Sequence, residues 1–277
     1  MKKQLFFFFT VIAFFCYTSV SAQHADKNDS LRALFSTLKD SSEIYYTSAN
    51  YEKSIEVNVK ILNTALEIND PVLIHEGYRF LAYDYLALND VSNVKENLKK
   101  SEYYALLSKN DNAIAVTYMD LANLFSYEDD GFDKSIKYHD KAIQQFEKIK
   151  DSVSLAKAHM NAAITYFYFE AYDTGYPYLE KAKLFALQHK TEDFQAGIEN
   201  MYGEYYSYKK KYDVALESYL KSISIAEKFN LFGDLESSYY GYSIALQEQG
   251  NYKEALEARE KYEEYLLKNK NYHINCQ

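Results

Sequence analysis

The chain has 277 residues, with 31 basic against 40 acidic side chains and a formal charge of −9 at pH 7; so acidic a chain repels phosphate backbones, which argues against nucleic-acid binding. Its 2 prolines and 8 glycines are too few turn formers for a β-rich fold. Of its 2 cysteines, one lies in an expected leader, so no internal disulfide is available and the fold must rest on packing.

The first element is that leader, residues 1–22. Lys2 and Lys3 precede an apolar stretch from Leu5 to Phe15, and a polar run ends in Val20-Ser21-Ala22. A positive start, a short apolar core and a small residue at the end make a signal peptide, with cleavage between Ala22 and Gln23. The competing reading is an uncleaved anchor, for which the apolar stretch is short. Cys16 follows Ala13-Phe14-Phe15, which lacks the small residues of a lipid-attachment site. Losing Lys2 and Lys3 leaves 29 basic against 40 acidic residues, a net −11. The chain is thus expected to be exported, either periplasmic or secreted. No later stretch reaches the roughly 18 apolar residues of a membrane span. Residues 23–28 form a linker.

From there to residue 270 one pattern recurs. It reads Asn50-Tyr51-Glu52, Asp90-Val91-Ser92, Gly131-Phe132-Asp133, Ala171-Tyr172-Asp173, Lys211-Tyr212-Asp213 and Asn251-Tyr252-Lys253. The central residues are 40, 41, 40, 40 and 40 apart. Three residues after each stands Ser54, Val94, Ser135, Gly175, Ala215 or Ala255, mostly small. Nine before stands Ser42, Ala82, Ala163, Gly203 or Ser243, and Ala122 joins them if the acidic loop Glu128-Asp129-Asp130-Gly131 carries one extra residue. Three positions beyond that column come Tyr45, Tyr85, Phe125, Tyr166, Tyr206 and Leu246. Small residues let two helices approach, and rings fill the space beside them.

Each unit therefore holds two helices, A and B. Ala215, Leu216, Tyr219, Ile223 and Ala226 show the helical period. A second set of breaks, beginning with Asp70-Pro71 and Asn110-Asp111, supplies N-caps and a proline suited to a first turn. The A helices are expected over 29–48, 71–88, 111–127, 151–169, 191–209 and 231–249. The B helices are expected over 52–68, 92–108, 133–149, 174–189, 213–229 and 253–269. Gly175 and Pro177 threaten to delay the fourth B helix. The units run about 29–70, 71–110, 111–150, 151–190, 191–230 and 231–270, and 271–277 is a tail. Cys276, alone in that tail, reads as an incidental thiol rather than a cross-link between chains, and the oligomeric state is open.

The pattern resembles the tetratricopeptide repeat (TPR). The closest matches are Gly203, Tyr206, Tyr212, Ala215 and Tyr219, and Gly250-Asn251-Tyr252 with Ala255. The resemblance covers about 29–270. It departs from the family in its longer period and in a later helix-B position that the family keeps small, occupied here by Ile61, Ser101, Ala142, Ala182, Ser222 and Tyr262. It implies an all-α fold, a right-handed superhelical solenoid of six helix-turn-helix repeats.

In that family the A helices line the concave face, where proteins or peptides bind. Carried over, the groove positions are Glu43, Tyr46, Arg79, Tyr83, Asn123, Tyr127, Met160, Tyr168, Asn200, Glu204, Tyr208 and Tyr240. Tyr127, Tyr168 and Tyr208 share one column, apt for gripping a peptide; the alternative is that such rings pack between repeats. Some members clamp a terminal carboxylate with Lys, Arg and Asn, but Lys39, Arg79, Asn123 and Lys157 are too scattered for that.

Catalytic and cofactor chemistry finds no support. His24, His75, His139, His159, His189 and His273 show no metal-ligand spacing. Five Ser-x-x-Lys spacings lack the companion motifs of penicillin-binding enzymes. In the acidic loop, Ser126 and Lys137 stand where a calcium loop needs carboxylates. The sequence thus implies a non-catalytic interaction module without cofactor. The alternative is a relative of sensory ectodomains, in which such arrays precede a membrane helix and a signalling domain.

Overall fold

The computed structural model describes residues 27–189 and 194–275. The leader with its cleavage site, and Cys276, lie outside the described residues. All regular structure among the described residues is helical: α1 (27–47), α2 (Tyr51–Ile68), α3 (Pro71–Ala87), α4 (Val91–Ser108), α5 (Asp111–Ser126), α6 (Phe132–Ile149), α7 (Ser152–Tyr168), α8 (Tyr172–His189), α9 (Phe194–Tyr208), α10 (Tyr212–Phe229), α11 (Phe232–Glu248) and α12 (Tyr252–Asn275). Odd-numbered helices are the A helices, even-numbered the B helices. The six turn residues Tyr51, Val91, Phe132, Tyr172, Tyr212 and Tyr252 are each the first residue of a B helix.

Local chemistry explains these starts and stops. Asn50, Asp70, Asn110 and Asp151 cap α2, α3, α5 and α7, each side chain accepting a backbone N–H of the first turn. Most helices end on one residue in the left-handed region: Ala49, Asn69, Asn89, Lys109, Lys150, Glu170, Lys210 and Asn230 have φ of 55–58°. After five A helices the next N–H then reaches back to the aromatic column, donating to the carbonyls of Tyr45, Tyr85, Tyr166, Tyr206 and Leu246 at 2.8–2.9 Å. The acidic loop of the third unit closes differently. The Gly131 N–H bonds Glu128 O at 3.0 Å, and a Cβ on Gly131 would lie 1.8 Å from the Phe125 carbonyl oxygen. Only glycine fits there.

Three boundaries differ from expectation. The first helix is already formed at residue 27, inside the expected linker. α8 is not delayed and starts at Tyr172, with Pro177 inside it; the proline forfeits one intrahelical bond near the helix start. α12 continues to Asn275, past the expected end at 269, because no glycine or proline interrupts it.

The chain forms two compact units, one through Tyr104 and one from Ala105. The first is built around Phe35, Val57, Ile61, Ala65 and Ile74. In the second, neighbouring helices pack in pairs, and α5, α7, α9 and α11 also touch in series. Its largest core joins Leu179, Ile198, Met201 and Tyr202 to Tyr166 and Phe167. Both small-residue columns are buried.

Three histidines belong to these cores. His75 Nδ1 and Ser101 Oγ are 2.8 Å apart, and His139 Nε2 lies 3.0 Å from Thr165 Oγ1. His159 lies flat on Phe185, with ring centres 5.9 Å apart. Burial lowers their pKa to about 3 for His75 and about 4 for the other two, with Lys181 adding to the effect at His159. The unfolded imidazole takes up its proton near pH 6.5. The folded state thus loses about 1.4 kcal/mol per histidine for each pH unit below that, down to the folded pKa. In urea unfolding, His159→Phe should lose about 2 kcal/mol less stability than wild type between pH 7 and pH 5. Equal losses would show that His159 is already charged in the fold.

Candidate functional site

Two cavities lie on A-helix faces, one in each unit. The larger holds about 710 Å³ in the second unit. Asn200, Glu204 and Tyr208 recur every four residues and put one stripe of α9 along it. From α11 come Glu236, Ser237, Tyr240, Gly241 and Ile244, and Tyr172 and Tyr262 close the sides. Tyr219 of α10 also lines it, although only 4% exposed. Its ring occupies the space left by two glycines, since a Cβ on Gly203 or Gly241 would approach it to 2.5 Å.

The lining mixes rings with carboxylates. Tyr172 stacks on Tyr208 with centres 4.4 Å apart and donates to Glu204 Oε1 at 3.3 Å. Burial raises the Glu204 carboxyl above its usual range. Burial, helped by Glu204, pushes the Tyr172 hydroxyl up to about 12. Asn269 Nδ2 donates to Glu236 Oε2 at 2.9 Å. The Arg259 guanidinium sits 5.3 Å from the Tyr240 ring centre and 4.6 Å from that of Tyr262. Asn200 Oδ1 is buried and accepts no hydrogen bond. Such a surface can stack against side chains and fix the orientation of a backbone amide through Asn200.

The smaller cavity, about 250 Å³, lies between α1, α2 and α3. Tyr46 and Tyr83 line it, together with Glu43 and Phe80. Arg79 bonds the Tyr83 hydroxyl. Beneath them runs a polar chain: Ser42 Oγ donates to Asn58 Oδ1 at 2.7 Å, and Asn58 Nδ2 donates to Asp84 Oδ2 at 2.6 Å.

The expected groove residues thus divide. Asn200, Glu204, Tyr208 and Tyr240 come together around the larger cavity, and Tyr46 and Tyr83 around the smaller. Asn123 is half-buried and lines neither of these cavities. Tyr127 and Tyr168, 75% and 67% exposed, also lie outside both linings. Tyr127 caps the end of α5, Tyr168 ends α7, and Tyr208 ends α9, so their column marks the A-helix termini. Tyr172, Tyr219, Tyr262, Asn58 and Asp84 were not among the expected positions. Asp84 carried a signal: its column otherwise holds Ile44, Leu124, Thr165, Tyr205 and Ala245.

No family model matches the chain, and no curated protein matches it. Solved structures do. An array of nearly identical TPR-like repeats from a Podosopora anserina kinesin light chain is 14% identical, with a TM-score of 0.54, over 73% of this chain and 98% of that one. The fold is tetratricopeptide-like. The apo form of RapI shares it, at 19% identity and a TM-score of 0.69, over 86% of this chain and 84% of its own. So does aspartyl phosphate phosphatase F from Bacillus subtilis, at 17% identity and a TM-score of 0.67, over 84% of this chain and 60% of its own. At these identities the likeness is one of fold. Function has to be argued from the tetratricopeptide-like array's own surfaces.

Proposed function

We propose that this chain is an exported, non-catalytic scaffold that binds a peptide or protein segment along the A-helix face of α9 and α11. The observation that carries the reading is the 710 Å³ cavity there, where four independently expected groove residues, Asn200, Glu204, Tyr208 and Tyr240, share one lining. Tyr208 and Tyr240 are 48% and 46% exposed, so their rings offer apolar area at small entropic cost. Asn200 offers an acceptor that nothing in the fold uses, as an extended backbone with spare N–H groups requires. Export is supported by the composition of residues 1–22, and none of the described helices is long and apolar enough to cross a membrane.

The test uses residues 23–277 as bait for a displayed peptide library, followed by affinity measurement on the enriched peptides. Tyr208→Ala with Tyr240→Ala should weaken them roughly 10- to 100-fold, about 1–3 kcal/mol, with helix content unchanged. Tyr127→Ala, outside the cavity, should leave affinity intact. A folded double variant that binds as well as wild type would refute the site. N-terminal sequencing of the protein from its native source should begin at Gln23; a chain beginning at Met1 would contradict export.

A further inference from the structure

The unit ending at Tyr104 carries a polar arrangement that the peptide reading does not use. Asp84 has no exposed surface, in the middle of α3. Its Oδ2 is satisfied by the Asn58 amide, but its Oδ1 is buried without a hydrogen-bond partner. Buried carboxylate oxygens in folded proteins are normally paired, because the unpaired group loses its hydration without return. Protonating Oδ1 does not resolve this, since the atom then becomes a donor without an acceptor. Asn58 cannot supply the second bond from its other end, because its Oδ1 is committed to accepting from Ser42. Asp84 nevertheless lines the 250 Å³ cavity.

We propose that this cavity binds a primary alkylammonium group, with Asp84 Oδ1 as its acceptor at the base and the rings of Tyr46, Phe80 and Tyr83 around its stem. The site is independent of the larger cavity and does not rest on the peptide reading.

Charge, size and donor geometry select this ligand. Asp40, Glu43 and Asp84 line the cavity against a single cation, Lys39. The Lys39 ammonium is engaged by Glu76 Oε2 at 2.9 Å, so the lining keeps a negative excess. Rings beside a carboxylate attract a cation through their faces as well as through its charge. The volume falls below the roughly 300–1,000 Å³ of drug-sized pockets, which suits one unbranched aliphatic stem. A guanidinium would seek two acceptors side by side, but one carboxylate oxygen is taken by Asn58. A quaternary ammonium has no N–H to give. Burial raises the Asp84 carboxyl, and the Ser54 hydroxyl and Asn58 amide offset only part of that. A bound ammonium would hold the group ionised.

The experiment titrates residues 23–277 with N-acetyl-lysinamide and n-pentylammonium, followed by calorimetry and amide NMR. N-acetyl-norleucinamide and N-acetyl-argininamide serve as controls. Both amines should bind and perturb the amides of α1 and α3. Norleucinamide, of the same shape without the charge, should bind at least tenfold more weakly, and argininamide should also be weaker. Binding of n-pentylammonium alone would identify a free amine as the ligand; binding of both would admit a lysine side chain. Asp84→Asn keeps an acceptor for Asn58 and should cost tenfold or more. Tyr46→Leu, at a position already 41% exposed, should cost severalfold and guards against misfolding of the first variant. The proposal is overturned if neither amine binds at millimolar concentration. It is also overturned if norleucinamide matches lysinamide, or if a folded Asp84→Asn or Tyr46→Leu binds as wild type does.

Discussion

Everything in this fold depends on how closely the two helices of a unit can approach. Ser42, Ala82, Ala122, Ala163, Gly203 and Ser243 on the A helices, and Ser54, Val94, Ser135, Gly175, Ala215 and Ala255 on the B helices, are all buried. None carries more than a small side chain at the point of contact, so backbones rather than side chains set the spacing. In the third unit Ser135 Oγ donates directly to the Ala122 carbonyl at 2.8 Å. The large rings then have to go elsewhere. They cluster at the turn ends of the units, as with Phe167, Tyr172, Tyr176 and Tyr205, or slide over glycines, as Tyr219 does.

The cavities follow from the same constraint. Close pairing within a unit leaves the contact between a B helix and the next A helix to be filled by whatever residues stand there. That contact joins positions 26 apart. Leu98 and Leu124 meet it with apolar, buried side chains, whereas His139 and Thr165 meet it with a 3.0 Å hydrogen bond. Asn58 and Asp84 occupy the equivalent places in the first unit, and there the polar pairing is incomplete. In the second unit Tyr219 fills its own place so fully that its ring becomes a wall of the larger cavity. Sites thus arise where the repeat departs from its own pattern, as expected when function overrides local packing.

The helices were legible in the sequence because their boundaries are chemically local. A capping Asn or Asp, a left-handed residue and a turn ring declare each start without reference to distant partners, and the extra residue before Phe132 is visible by counting. The termini of α1 and α12 were less legible, since nothing marks them except the absence of a breaker. The groove was half legible. Asn200, Glu204 and Tyr208 follow a helical stripe that any α9 must present. Tyr127 and Tyr168 share the column of Tyr208, but whether a ring at a helix end meets a cavity depends on the neighbouring helix. Tyr208 has Tyr172 to stack on, whereas Tyr168 meets its own neighbour Phe169 edge-on at 5.2 Å. Asp84 escaped notice for a related reason: between Tyr83 and Tyr85 it looks like an ordinary helix carboxylate, and only its partner 26 residues earlier makes it unusual.

The central claim is that bare backbone at the small column, not helix propensity, holds the units together, and two glycines separate these effects. Replacing a helical glycine with alanine gains up to about 1 kcal/mol where there is room, but overpacking a tight core costs about 1–3 kcal/mol. Gly203 has the buried Tyr219 ring 2.5 Å from where its Cβ would be, whereas the nearest atom to a Cβ on Gly233 is Asn269 Nδ2 at 3.9 Å. The most direct measurement is therefore the unfolding free energy of Gly203→Ala beside that of Gly233→Ala. The account predicts that the first is destabilised and the second is stabilised. If both gain stability, helix propensity governs the array and close approach at the small column does not.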